Sequence, residues 1–373
     1  MLTVYLFPIS YAFLSFPVAA LLFTLPFLLV QYRRHGYVHM YRALLLYLFL
    51  LYMLNAVFLI LLPLPPSVHN APPAASSYAQ WIPFHFVLDV LKETGVDWER
   101  PPTYLRLLKE RAVLQVVFNV LLTVPFGMFL RYYFRTGWLP CLLLTLGLSL
   151  FFETTQVTGI YGIYDYPYRL FDVDDAMTNT AGGLLGFVAA EWLSKRLPRI
   201  DKLDERVDLA TKRVSYTRRG LAFLIDWIVL NPLVAALAVL RVPLPYAIAV
   251  AAYFVVLPYF ANGQTLGKWF VRIRLRGKGS RVRLRELLVR YGLLYGVIGG
   301  VNALMVGLAA RGAGSSIAIL PLLLAVFAVN AAFAIHLVMC LFNRKRVLFY
   351  ERRSGTGHVI TPKARKAGRP GVD

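Results

Sequence analysis

Between Glu153 and Gly183 the chain reads ETTQVTGIYGIYDYPYRLFDVDDAMTNTAGG, setting Glu153, Gln156, Arg169, Asp172, Asp174, Asp175 and Asn179 beside two long apolar runs. Carboxylates in such a place can accept hydrogen bonds, hold a cation or relay a proton, and a guanidinium can grip a carboxylate through two parallel bonds. Ionisable groups next to membrane-length apolar segments are costly, so a site accounts for their retention more often than the fold does. Glu153 and Gln156 are i, i+3 neighbours, and Asp172, Asp175, Asn179 and Gly182 share one face if a helix reaches back to Asp172. Asp165 and Asp174 read instead as solvated loop acids.

A second set follows. Arg219 and Asp226, in RRGLAFLIDWIVL, are two helical turns apart on one face. An aspartate inside an apolar helix needs a partner, and Arg219 or Arg290 could supply it. The basic stretch from Lys268 to Arg285 alternates with apolar residues, which predicts a short extended hairpin turning at Gly277 and Gly279. GQTLGK lacks the spacing of a phosphate-binding loop and runs into Trp269. His85 and Asp89 stand at i and i+4, spacing suited to a metal pair, but a solvated interfacial face accounts for them better. Cys141 and Cys340 sit in separate apolar segments without metal or redox spacing. No cofactor and no metal centre are expected.

The elements that must position these groups are membrane helices. Hydrophobic residues make up 58% of 373 positions and mean hydropathy is +0.59, more apolar surface than one soluble core hides. Runs of about 20 apolar residues recur, the length that crosses a bilayer. We place nine spans near 6–30, 42–62, 112–130, 138–157, 176–194, 220–240, 245–261, 287–310 and 316–342. The expected fold class is an all-α integral membrane protein, a polytopic helical bundle of about nine transmembrane helices in two bundles. Its first span lacks a basic leader and reads as a retained helix. The divisions are 1–197 and 216–361 for the two membrane domains, a charged cytoplasmic linker at 198–215, and a disordered basic tail at 362–373. WIPFHF, after a proline-rich stretch, suggests an interfacial anchor or re-entrant piece.

A net charge of +21 invites a nucleic-acid reading, but its distribution opposes one. Of 40 Lys and Arg, 32 fall in alternate loops, nine of them between Lys195 and Arg219 and nine between Lys268 and Arg290. That bias places the N-terminus outside and the C-terminus in the cytoplasm of a cell membrane. The basic loops then suit anionic lipid headgroups, with the bilayer as partner and no nucleic acid. In this orientation Asn119 lies about 10 Å and Glu153 about 6 Å below the outer helix ends, close enough in depth to share an outer-leaflet pocket. Gly182, Gly183 and Gly186 would admit a neighbouring helix closely, and Pro125 with Gly127 would bend the third span.

These residues also carry resemblances. FNVLLTVPFGMFL, ETTQ and RLFDVDDAMTNTAGGLLG, with WIPFHF upstream, resemble the VanZ-like family over about residues 40–195. Arg219, Asp226 and GQTLGKWFVRIRL resemble the RDD family over about 213–361, with Glu351 of YERRSGT standing where that family has its second Asp, and Tyr350 where it has a His. The first resemblance implies a bacterial envelope protein, its namesake being linked to teicoplanin resistance; the second implies a multi-pass membrane protein for which transport has been proposed. Together they suggest an outward polar pocket of Asn119, Glu153, Gln156, Arg169, Asp172, Asp175 and Asn179 and a second site of Arg219, Asp226 and Glu351. The expected function is envelope homeostasis or glycopeptide tolerance, with a cell-wall precursor or glycopeptide as a candidate partner. The alternative is a cation or proton-coupled transporter. An enzyme is the weaker expectation, since no His-rich or Ser/His/Asp arrangement stands out.

Overall fold

The computed structural model describes residues 2–73, 77–93, 107, 109–205, 207–209, 212–310, 320–342 and 347–361. The expected tail at 362–373 lies outside them. Helices dominate, and seven of those described are long and apolar enough to cross a membrane. Many of their apolar side chains point outward, as at Leu21, Leu22 and Val239. That is the arrangement a lipid solvent favours, since the backbone is satisfied within each helix and nothing drives leucines inward.

Two of the nine expected crossings fall short of that count. Val173–Ser194 is a full helix, but Asp174, Asp175, Thr178, Asn179 and Thr180 with three buried glycines make its first half polar and tightly packed, while Leu185, Val188 and Trp192 stay exposed further on. Pro245–Phe260 is apolar but shorter than a span requires.

The chain divides into two compact units, the first formed by Met1–Thr24 with His39–Arg206, the second by Leu25–Val38 with Val207–Asp373. The division is therefore not a single cut, because the C-terminal part of the first helix groups with the later residues. In the first unit we number α1 (Leu2–Arg34, shared), α2 (Met40–Leu61), β1 (Ala79–Gln80), α3 (His85–Glu93), α4 (Arg111–Tyr132), α5 (Trp138–Val157), β2 (Phe171–Asp172) and α6 (Val173–Ser194).

The centre of this unit is α4, α5 and α6, joined by small residues. A Cβ on Gly182 would strike the Val120 carbonyl, one on Gly186 the Val124 carbonyl, and one on Gly127 the Gly183 carbonyl. Gly183 abuts the Thr145 side chain in the same way. Close backbone approach of this kind replaces the hydrophobic force that is missing between helices in lipid. α4 runs through Pro125 without interruption.

The WIPFHF segment is anchored by strand pairing. β1 runs parallel to β2 with Ala79 opposite Phe171 and Gln80 opposite Asp172. Asp174, expected to be solvated, is buried and accepts the N–H groups of Phe84 and Phe86, at 2.6 and 2.9 Å.

The second unit contains α7 (Tyr216–Val239), α8 (Pro245–Phe260), α9 (Leu266–Phe270), β3 (Ile273–Arg276), α10 (Leu284–Leu308), α11 (Leu320–Phe342), α12 (Phe349–Ser354) and β4 (Gly357–Ile360). Both α8 and α10 contain a wide π-type segment, at Ala251–Val256 and Gly292–Gly299. Their aromatic residues stack into one core, with the Phe254 and Tyr295 rings 4.2 Å apart and Trp227 edge-on to Tyr295.

The expected hairpin is only half present. Ile273 and Leu275 are buried while Arg274 and Arg276 are exposed, so the alternation does mark a strand. Its partner is β4, antiparallel, with Ile273 opposite Ile360 and Arg276 opposite Gly357, rather than the residues just after the turn. Those residues are drawn off into α10, whose Glu286 caps the turn by accepting the N–H groups of Lys278 and Arg283.

Candidate functional site

In the first unit a cavity of about 870 Å³ opens between α2, α3, α4 and the segment leading into α6. Asn119, Gln156, Arg169, Asp172 and Asp175 line it, joined by Gln115 and by His85 with Asp89. Asp175 is the polar focus. One of its oxygens accepts from the Asn119 amide and, at 3.0 Å, from the Gln115 amide. Gln115, one helical turn before Asn119, was not singled out in the sequence. Its i, i+4 spacing to Asn119 was the available signal. His85 Nδ1 and Asp89 Oδ2 lie 3.1 Å apart and face the same space. Among the described residues no group of three metal-ligating side chains is assembled.

Glu153 and Asn179 stand behind this wall. Glu153 is buried and its Oε2 accepts the backbone N–H of Asp172 at 2.9 Å. Asn179 donates to Ser149 Oγ at 2.8 Å while its carbonyl oxygen in the backbone accepts from Thr123. The helix does not extend back to Asp172. That residue is extended, pairs in β2 and caps α6 through the Asp174 N–H at 2.9 Å. Burial, then the charges of Asp175 and Asp174, raise the Asp172 carboxyl above its ordinary range, against the opposing backbone hydrogen bond. Gln156 donates to the Ile60 carbonyl at 2.8 Å. Arg169, expected to clamp a carboxylate, is exposed on the cavity rim and closes no ion pair among the described residues.

In the second unit Arg219, Asp226 and Glu351 do not form one cluster. Arg219 pairs with Glu351 at 3.0 Å, and Glu351 also meets Arg290 at 3.1 Å. Asp226 pairs neither with Arg219 nor with Arg290. It accepts from Tyr253, Thr265 and the Gly267 N–H at 2.8, 2.8 and 2.7 Å, with Lys268 Nζ at 3.6 Å. The reason is the tight seat of α9 on α7, where a Cβ on Gly267 would strike the Ala222 carbonyl and the Asp226 carboxylate.

Arg218, not Arg219, is the fully buried guanidinium of α7. It donates to the carbonyls of Val271, Gly36 and Arg272 at 2.7, 2.6 and 2.9 Å. Helical spacing favours Arg219 as the neighbour of Asp226, but it is Arg218 that meets the inward-facing carbonyls of Val271, Gly36 and Arg272.

Fold and geometry together define a polytopic α-helical membrane protein with a polar cavity in one unit and buried ionic networks in the other. Residues 49–194 match the VanZ/LLP1 family model and residues 213–350 match the RDD family model. The two matched segments lie in tandem along the chain, the first similar to the VanZ/LLP1 family and the second to the RDD family. The first match contains Asn119 to Asn179; the second contains Arg219 and Asp226 and stops one residue before Glu351. No curated protein and no solved structure matches the chain.

Proposed function

We propose that the VanZ-like unit presents its cavity to the cell-wall side of a bacterial membrane and takes a polar group there, in envelope homeostasis or glycopeptide tolerance. The carrying observation is the cavity of about 870 Å³ in which Asn119, Gln115 and Asp175 are already hydrogen-bonded to one another, a pre-formed polar wall beside apolar Leu59, Leu121 and Leu122. Mixed walls of this kind orient amphiphilic ligands through a few fixed polar groups. The site would be Asn119, Gln156, Arg169, Asp172 and Asp175, with Glu153 and Asn179 as its support. A cell-wall precursor or the glycopeptide itself is the candidate ligand. Arg219, Asp226 and Glu351 would belong to a separate function of the RDD unit, with the charged linker near 198–215 between the two domains.

Glycopeptide susceptibility is the test, measured in cells with the gene, without it, and carrying Asp175→Ala or Glu153→Ala. Loss of the gene and loss of Asp175 should sensitise alike. Equal susceptibility in all strains would remove the reading. A proton or cation-coupled transporter using Asp226 and Glu153 as carriers has less support, because Asp226 is held by three hydrogen bonds and a lysine.

A further inference from the structure

Glu351 is shared by two guanidiniums. Arg219 Nη1 reaches its Oε2 at 3.0 Å, and Arg290 Nη2 reaches its Oε1 at 3.1 Å. His358 Nδ1 also meets Oε1 at 3.1 Å, while its Nε2 faces Arg290 Nη2 at 3.5 Å. A guanidinium only donates, so Nε2 must be the accepting nitrogen and the proton sits on Nδ1, leaving the imidazole neutral. Two positive charges and one negative charge are therefore gathered where side-chain exposure is 16% at Arg219 and no more than 7% at Arg290, Glu351 and His358. Buried charge is stable only when compensated, and here one positive charge has no partner within the cluster.

Donors are in surplus as well. The Nε–H groups of Arg219 and Arg290 are both buried without a hydrogen-bond acceptor among the described residues. Arg219 uses only Nη1, and it lines a cavity of about 350 Å³ together with Arg213, Thr356, Gly357, His358 and Glu351, whose carboxylate is already engaged by Arg219, Arg290 and His358. The cavity lies by the first turn of α7, a membrane-length helix, which is the depth at which lipid headgroups sit.

From this imbalance we infer that the cavity bounded by Arg213, Arg219 and His358 binds a phosphate-type oxyanion, either free or as the headgroup of an anionic lipid. Such a group supplies the missing negative charge and several acceptor oxygens at once, and the planar fork of Arg219 suits it.

The test uses full-length protein in phosphatidylcholine nanodiscs, titrated with inorganic phosphate, and in nanodiscs with added phosphatidylglycerol. Thermal stability is the readout at constant ionic strength. Wild type should gain stability with at least one of the two. A response to both identifies a general oxyanion site, and a response to phosphatidylglycerol alone identifies a headgroup site. Arg219→Gln leaves Arg290 and Glu351 balanced, so it should fold, and it should lose the response at least tenfold. Arg213→Gln, which leaves Glu351 untouched, should weaken it too, while Arg219→Lys should keep part of it. No response in wild type, or an unchanged response in both glutamine variants, overturns the inference.

Discussion

Glu153 and Asp172 are joined by one bond, the carboxylate of the first accepting the backbone N–H of the second at 2.9 Å. Because Asp172 in turn caps α6, the end of α5 and the start of α6 are fixed by consecutive carboxylates. Asp175, one turn on, is thereby aimed into the cavity with its Asn119 and Gln115 partners.

Glu153→Ala strands a buried N–H and should cost about 1–3 kcal/mol, as such orphaned donors do. Glu153→Gln keeps an acceptor oxygen and should cost clearly less. Thermal unfolding in detergent compares the two; equal losses would show that the charge, not the hydrogen bond, matters at this position.

Gly182→Ala, Gly183→Ala and Gly186→Ala each force a methyl into α4 or α5 and should destabilise by about 1–3 kcal/mol or prevent folding. Gly147, in the middle of α5, has open space where its Cβ would stand. Gly147→Ala should therefore be neutral or stabilising by up to about 1 kcal/mol. Melting temperatures of the four variants check the contrast.

Asp226→Ala leaves Lys268, Tyr253, Thr265 and the Gly267 N–H without their shared acceptor and should cost about 3–5 kcal/mol, the usual penalty for breaking a buried pair. Combining Asp226→Asn with Lys268→Met removes both charges, so the double variant should be more stable than the sum of its singles. A double-mutant cycle measures the coupling.

Acid should destabilise the second unit. Burial, the largest influence, pushes His358 down from 6.5 to about 3, with the Arg290 charge adding to it and the Glu351 hydrogen bond opposing. Burial alone would raise Glu351, but the His358 hydrogen bond and the Arg290 and Arg219 charges outweigh it and hold the carboxyl well below its ordinary range. For both groups the unfolded chain binds protons at a higher pH than the folded one, so stability rises with pH across that window. It should be level above about pH 7, fall as the pH drops below 6.5, and keep falling toward 3. In His358→Gln the decline should begin at lower pH, near the ordinary glutamate range. Unfolding midpoints measured against pH decide it.

Orientation can be read by thiol labelling at Ile163, which is exposed in the loop between α5 and α6, whereas neighbouring Tyr164 is buried. An impermeant reagent should label Ile163→Cys in intact cells and Arg281→Cys only after lysis. Native Cys141 and Cys340 are buried, which keeps background labelling low. The reverse pattern would turn the cavity to the cytoplasm and end the cell-wall reading.

Chain order alone was enough for the helical membrane class and most of the spans, because apolar run length is a local property. The same local logic marked β3 as a strand, since alternation needs no partner to be visible. What it could not determine were the partners. β3 joins β4 rather than its own turn, Asp226 is served by Lys268 rather than by an arginine, and Arg218 rather than Arg219 is the arginine that turns fully inward. Each depends on which distant backbone comes close enough, and that is set by small residues such as Gly267, Gly182 and Gly186 at the contacts. Composition dictated that charges in these segments must be compensated; only the packing of one helix on another decided by what.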